Sequence, residues 1–249
     1  MTAPPRLRRE VVSFARRDGR VHPGIARAWS ARHEELLVHP ARGHRDTSLD
    51  PTWRFDPLTT FGRSAPLVVE IGSGAGEVVL ASAAAHPERD HLAVEVYRPG
   101  AATTVLRADR RGLTNVRVLQ ADAAALLRAG LAPDSVVECW VFFPDPWPKV
   151  RHRRRRLVTE AVVADAARAL VPGGVLRLST DWEDYAAQML AVTSGCPQLA
   201  NPYTHTASGG FAPRWEGRVQ TRFERKGRAA GRRVIDLELS RRVPAAETH

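Results

Sequence analysis

A chain of 249 residues, 43% of them hydrophobic, can bury one full core and is too apolar for a disordered polymer. It holds no apolar run near the roughly 20 residues that a membrane-spanning helix needs, and its two cysteines, Cys139 and Cys196, make neither a disulfide framework nor a Cys/His zinc spacing. The formal net charge of +10 points to a polyanionic partner, although lysine occurs only at Lys149 and Lys226, and an almost all-arginine charge also follows from GC-rich coding.

Residues 1–64 read as a basic N-terminal extension, partly disordered, punctuated by Pro4-Pro5, Pro23-Gly24, Pro40 and Asp50-Pro51. One short helix is expected there, around Ile25 to Val38. The Arg-rich, acid-poor start (Arg6, Arg8, Arg9) shares its composition with mitochondrial transit peptides. The missing apolar signal core, the unpaired cysteines and the biased composition favour a bacterial protein of the cytoplasm.

Residues 65–243 alternate short apolar runs with helical stretches. Strands are expected at Leu67 to Ile71, Leu92 to Val96, Val116 to Leu119, Val136 to Phe143 and Val175 to Ser179. Helices are expected at Glu77 to Ala85, Ala101 to Arg111, Ala123 to Ala129, Leu157 to Leu170 and Trp182 to Thr193. Repeated βα units with Leu- and Val-rich strands predict an α/β fold with a mostly parallel, doubly wound sheet covered on both faces. Val219 to Phe223 and Val234 to Leu239 read as strands joined without a helix, hence an antiparallel edge pair. Residues 244–249 read as a disordered tail.

Glu70-Ile71-Gly72-Ser73-Gly74-Ala75-Gly76 follows the first strand. Glycines there let backbone amides approach a ligand and open the next helix, as in any tight βα turn. Three carboxylates sharpen the reading. Glu70 ends the first strand, Glu95 ends the second where ribose hydroxyls can be bound, and Asp122 follows the third where an adenine amino group can be met. Glu70 would repel a pyrophosphate and suits the sulfonium of S-adenosyl-L-methionine. Singly, Glu95 or Asp122 also reads as a surface carboxylate or helix cap.

The fourth strand ends in Phe142-Phe143-Pro144-Asp145-Pro146-Trp147-Pro148-Lys149. Its prolines stiffen a loop that presents Asp145 at the ligand-binding edge, and Trp147 offers a face for a base. Arg151-His152-Arg153-Arg154-Arg155-Arg156 follows. Like charges crowded at the start of a helix oppose its dipole, so a phosphate-bearing partner would offset their cost; a solvated face is the plainer alternative. Thr180-Asp181-Trp182 and Thr221-Arg222-Phe223-Glu224 reach the same edge by topology.

Together these residues resemble the bacterial tRNA (guanine-N7)-methyltransferases, over roughly Arg9 to Leu239. Pro144-Asp145-Pro146-Trp147 with Lys149, Arg151-His152 and the basic run is the specific part. Asp181 and Thr221 to Glu224 add independent matches, as do Ser13-Phe14-Ala15-Arg16-Arg17 and Gly19-Arg20. The resemblance implies a Rossmann-like class I methyltransferase fold and methyl transfer from S-adenosyl-L-methionine to N7 of a variable-loop guanine (position 46) in tRNA. It implies Glu70, Gly72, Gly74, Glu95, Asp122 and Asp145 as cofactor residues, with Asp145 also catalytic. Lys149, Asp181, Thr221, Arg222, Phe223 and Glu224 would contact the substrate, and Arg151, His152, Arg153, Arg154, Arg155 and Arg156 the RNA. No metal and no membrane enter the expected partner set, and the chain would act as a monomer or homodimer. Pro148 departs from the family's frequent His, which puts one local RNA contact in doubt. A methyltransferase for a small molecule or protein, and a non-catalytic RNA-binding module, are the alternatives; neither cysteine sits in a strand-end loop suited to cytosine C5 chemistry.

Overall fold

The computed structural model describes residues 28–29, 31–44 and 47–244. Arg6, Arg8, Arg9, residues 13–17, Gly19-Arg20 and all but the first residue of the expected tail lie outside them. A seven-stranded sheet runs in the order β3-β2-β1-β4-β5-β7-β6. Its strands are β1 (Leu67–Ile71), β2 (Asp90–Val94), β3 (Val116–Leu119), β4 (Val136–Phe142), β5 (Leu170–Thr180), β6 (Leu199–Ala200) and β7 (Ile235–Arg241). The first five pair in parallel, and β7 runs antiparallel to both β5 and β6.

Helices cover both faces: α1 (Pro57–Phe61), α2 (Glu77–Ala85), α3 (Arg98–Arg110), α4 (Ala123–Ala125), α5 (Glu160–Ala169), α6 (Glu183–Ser194) and α7 (Arg222–Ala229). Side chains alternate along each strand, and β1 shows the consequence. Leu67, Val69 and Ile71 pack with Val163, Ala166, Tyr185 and Met189 of α5 and α6. Val68 points the other way, onto Val78 of α2, Trp140 and Phe142. Beside it, α2 and α3 share a second apolar cluster around Val79, Leu80, Ala101 and Val105. The strand order reverses between β1 and β4, so the crevice of this sheet opens beyond their carboxyl ends.

The bounds expected for β1, α2 and β3 are those observed. Elsewhere tertiary structure rewrites the local reading. Thr221 to Phe223 is no strand: Thr221 Oγ1 accepts the Glu224 amide at 3.1 Å and caps α7. The antiparallel edge pair is β7 with the two-residue β6, too short to give a period-2 signal. The helix expected from Leu157 begins at Glu160, capped by Thr159, and the arginines form a separate 3-10 turn, Val150–Arg155. Like charges therefore do not crowd the start of α5. Val171-Pro172-Gly173-Gly174 lies within β5 as an irregularity. Val136 pairs Leu170 while Glu138 pairs Val175, and a Cβ on Gly174 would stand 2.8 Å from the Val171 carbonyl. The expected helix over Ala123 to Ala129 is α4 running into a π turn, Leu126–Gly130. Of the helix expected over Ile25 to Val38, the described residues show a 3-10 turn, Ala31–Leu36.

Candidate active site

The glycine loop leaves β1 at the crevice. Gly72 and Gly74 adopt positive φ (72° and 57°), and an added Cβ at either would meet nothing within 4 Å, so the Cα side of each faces open space. Gly76 is glycine for the opposite reason: its Cβ would stand 2.6 Å from Thr104 Cγ2 of α3. As the N-cap of α2, Gly76 brings no side-chain oxygen. Glu70 supplies one instead, its Oε2 accepting the Val79 amide at 2.9 Å. Burial raises the Glu70 carboxyl to about 8, against the Val79 hydrogen bond and reinforced by Glu95 and Glu77 nearby.

Glu95 stands just past β2. Its Oε2 accepts the Gly74 amide and its Oε1 the Tyr97 amide, each at 2.7 Å. Burial raises its carboxyl above the ordinary range, opposed by these backbone bonds. Asp122 caps α4 through Oδ1 to the Ala125 amide at 3.0 Å. The plainer reading of Asp122 thus holds in part, since it caps a helix, and Glu70 serves α2 in the same way. The cavity chemistry still suits a cationic cofactor. A carboxyl with a raised pKa ionises readily when a sulfonium or ammonium arrives, and Ser73 Oγ is buried without a hydrogen-bond partner among the described residues, a donor ready for a ligand carboxylate. The residues present fit S-adenosyl-L-methionine.

On the other side of the crevice, β4 runs into the Pro-Asp-Pro-Trp loop. Phe143 and Trp147 bracket it with φ of 52° and 41°, conformations that cost about 1–3 kcal/mol each outside glycine. Phe143 is tied to β5 by its amide on the Ser179 carbonyl at 2.8 Å. Arg156 pins the far end: its Nε donates to the Pro146 carbonyl at 2.8 Å, and Nη2 forks onto Asp184 Oδ1 and Oδ2 at 2.9 and 2.8 Å. It is 1% exposed and lies over the Tyr185 ring. The expectation that Arg156 contacts RNA is corrected: a guanidinium out of solvent and bidentate to a carboxylate has no donor face for phosphate. Arg153 also pairs with Asp184, while Lys149, Arg151 and Arg154 point into solvent. Trp147 has one ring face occupied by Arg155, 4.9 Å from the centroid, and His152 at its edge. Asp145 is exposed and engages no hydrogen bond or ion pair among the described residues.

The Thr-Arg-Phe-Glu segment divides by helical geometry. Arg222 and Phe223 are exposed, whereas Thr221 and Glu224 turn inward. Glu224 does not pair with Arg222; it accepts from Arg214 and Arg228 and forms an ion pair with Arg218. Burial pushes its carboxyl up, but the three guanidiniums outweigh that and hold it below the ordinary range. Arg218, 1% exposed, also binds Ser179 and Asp236 and lies 5.3 and 5.4 Å from the Phe142 and Phe143 rings. Asp181 pairs with Arg232 at 2.7 Å, and Gly227 of α7 approaches so closely that its Cβ would stand 2.6 Å from Asp181 Oδ2. Arg214, Arg218, Asp184 and Asp236 had no signal in the sequence, since each meets its partner only through the fold. Among the described residues no His/Cys/Asp/Glu group could hold a metal ion and no helix is long and apolar enough to cross a membrane.

The fold resembles that of a 16S rRNA methyltransferase, KamB, with a TM-score of 0.51 over 73% of this chain and 90% of that one, at 16% identity. Residues 64–237 match the sequence model of a family described as "Putative methyltransferase". Sheet order, glycine loop and edge carboxylates define the class, the Rossmann-like class I methyltransferases. Curated relatives narrow it. A tRNA (guanine-N(7)-)-methyltransferase of Nocardioides sp. is 45% identical over 98% of this chain and 93% of its own length. Those of Cutibacterium acnes and Paenarthrobacter aurescens are 45% and 40% identical over 95% and 93% of this chain, and 85% and 91% of their own. The chain belongs to the tRNA (guanine-N(7)-)-methyltransferase family.

Proposed function

We propose that the chain transfers the methyl group of S-adenosyl-L-methionine to N7 of a variable-loop guanine, position 46, in tRNA. The observation that carries this is Asp145: an exposed carboxylate with no described protein partner, on a loop strained at Phe143 and Trp147 and pinned by buried Arg156. A group held so rigidly and left free is built to meet a ligand.

When bound, the cofactor supplies a sulfonium methyl that a base nitrogen can displace in one step, leaving a thioether. Glu70 and Ser73, with the glycine loop, would hold the charged amino-acid part of the cofactor, and Glu95 and Asp122 would hold its nucleoside. Guanine N7 carries an in-plane lone pair and no proton, so no general base is required and alignment supplies the rate. Asp145 accepts from guanine N1–H and the amino group, which turns N7 toward the methyl and raises its electron density. It also borders the cofactor. Lys149, Asp181, Arg222 and Phe223 surround the base and its ribose-phosphate, while Thr221 and Glu224, turned inward, hold that segment in place. The solvent-facing cations of 149–155, Arg151 and Arg154 first, take flanking phosphates, with His152 beside them. His152 stays below its ordinary pKa through desolvation and the cations around it.

Replacing Asp145→Ala should slow single-turnover methylation of unmodified tRNA by about 100-fold at saturating cofactor, the scale of a lost alignment. Near-normal rates with cofactor binding intact would overturn the role of Asp145. Mass-spectrometric mapping of the wild-type product tests the target nucleotide; methyl on another base would overturn the substrate reading.

A further inference from the structure

One groove of about 500 Å³ lies away from the Pro-Asp-Pro-Trp loop. It is lined by Glu77 and Ala81 of α2, Arg107 and Arg110 of α3, Arg111, and the segment 219–220. Both ends adjoin the site. Arg107 Nη1 donates to the Ala75 carbonyl of the glycine loop at 2.9 Å, and the Arg222 amide donates to Glu77 Oε2 at 2.8 Å. Arg225 of α7 is joined to this lining by its Nη1, which donates to the Gln220 carbonyl at 3.1 Å.

The charge here is uncompensated. Arg63, Arg89, Arg177 and Arg241 each hold a carboxylate. Arg110 and Arg111 are exposed and have no carboxylate partner among the described residues; the hydrogen bond of Arg110 goes to its own helix, Nε to the Leu106 carbonyl at 3.2 Å. The C-terminal dipole of α3 favours cations at its last turn, which accounts for Arg107 and Arg110; Arg225, joined to the lining through Gln220, adds a cation from another element. Glu77 is the one carboxylate in the lining, and one of its oxygens is already used.

The groove lies on the α2–α3 face of the sheet. The 150–155 turn lies on the other face, joined through Arg156 and Val158 to α6. Asp145 stands at the edge between them. A polynucleotide that places one base at that edge carries phosphates away on both sides.

We propose that this groove, through Arg110 and Arg111, is a second seat for the sugar-phosphate backbone of the RNA substrate, so that the strand straddles the sheet edge between two basic flanks. The inference rests on the tRNA reading above.

The test uses the full chain with Arg110→Gln and Arg111→Gln together, measuring affinity for unmodified tRNA by fluorescence anisotropy across a potassium chloride series. Binding should weaken about 5- to 20-fold near 0.1 M salt, and the slope of log affinity against log salt should shrink by about 1–2, one for each phosphate that is no longer neutralised. The single-turnover rate at saturating tRNA and the calorimetric cofactor affinity should stay unchanged. The paired lysine replacements should keep the slope, and Arg151→Gln with Arg154→Gln should add a separate loss. A double-Gln variant indistinguishable from wild type in affinity and slope overturns the groove and leaves the enzyme reading intact. Wild-type protein that neither binds nor methylates tRNA overturns both.

Discussion

Glu70 carries two duties, closing the amide ladder at the start of α2 and presenting a carboxyl to the crevice. Its pKa of about 8 sets a pH signature. The folded value lies above the unfolded one, so protonated Glu70 favours the folded state. That contribution is full below the ordinary carboxylate range and is lost as pH rises through about 8. Glu70→Gln keeps an acceptor for Val79 without the charge. The cofactor-free variant should gain stability over wild type between pH 5 and 8.5, on the order of 1–2 kcal/mol at the upper end, while its affinity for S-adenosyl-L-methionine drops at least about tenfold. Thermal melts across pH and calorimetry check both; parallel melting profiles for the two proteins would show that Glu70 is ionised without ligand. Arg218 shows the reverse logic, a buried cation retained because Glu224 and Asp236 are buried with it.

At the scale of elements, the reaction loop depends on a tie to a helix it does not touch in sequence. Arg156 joins Pro146 to Asp184 of α6, so the stiffness that prolines lend the loop is completed from outside it. Arg156→Met should destabilise the protein by about 3–5 kcal/mol, since it leaves Asp184 and a carbonyl without their partner. It should also slow methyl transfer while leaving the salt dependence of tRNA binding as in wild type. Urea denaturation and salt titration separate these effects; a slope reduced by about 1 would return Arg156 to the RNA-facing set. The Thr-x-x-Glu spacing at 221–224 was legible as a helix start. Its apolar flanks, Val219 and Phe223, suggested a strand instead, and only packing settles which period wins.

The whole molecule places its ligand site across the reversal of strand order, with β1 and α2 supplying one wall and β4 the other. A cofactor bound there ties the two halves of the sheet together and binds the folded state alone. At about 100 times its dissociation constant, S-adenosyl-L-methionine should add about 2.7 kcal/mol, which for a domain of this size raises Tm by roughly 5–10 °C. A differential scanning experiment checks it; an unchanged Tm would mean the crevice does not bind this cofactor. The net charge of +10 is also resolved at this scale. Ion pairs add nothing to that net, and among the described residues Arg110, Arg111, Arg151 and Arg154 are exposed without a carboxylate partner.

What the sequence determined by itself was whatever depends on neighbours along the chain. The apolar run of β1, the glycine loop, the parallel alternation and the stiff Pro-Asp-Pro-Trp loop are local, because hydrophobic period, φ preference and proline geometry act over a few residues. Tertiary structure alone decided which arginines are available. Arg156 and Arg154 are indistinguishable in a run, yet one meets Asp184, 28 positions away, and the other meets water. Arg218 finds Ser179 across 39 positions, and β6 exists only because β7 offers it an edge. Burial and pairing of charges are set by the distances the fold creates between remote residues, and no local pattern encodes those distances.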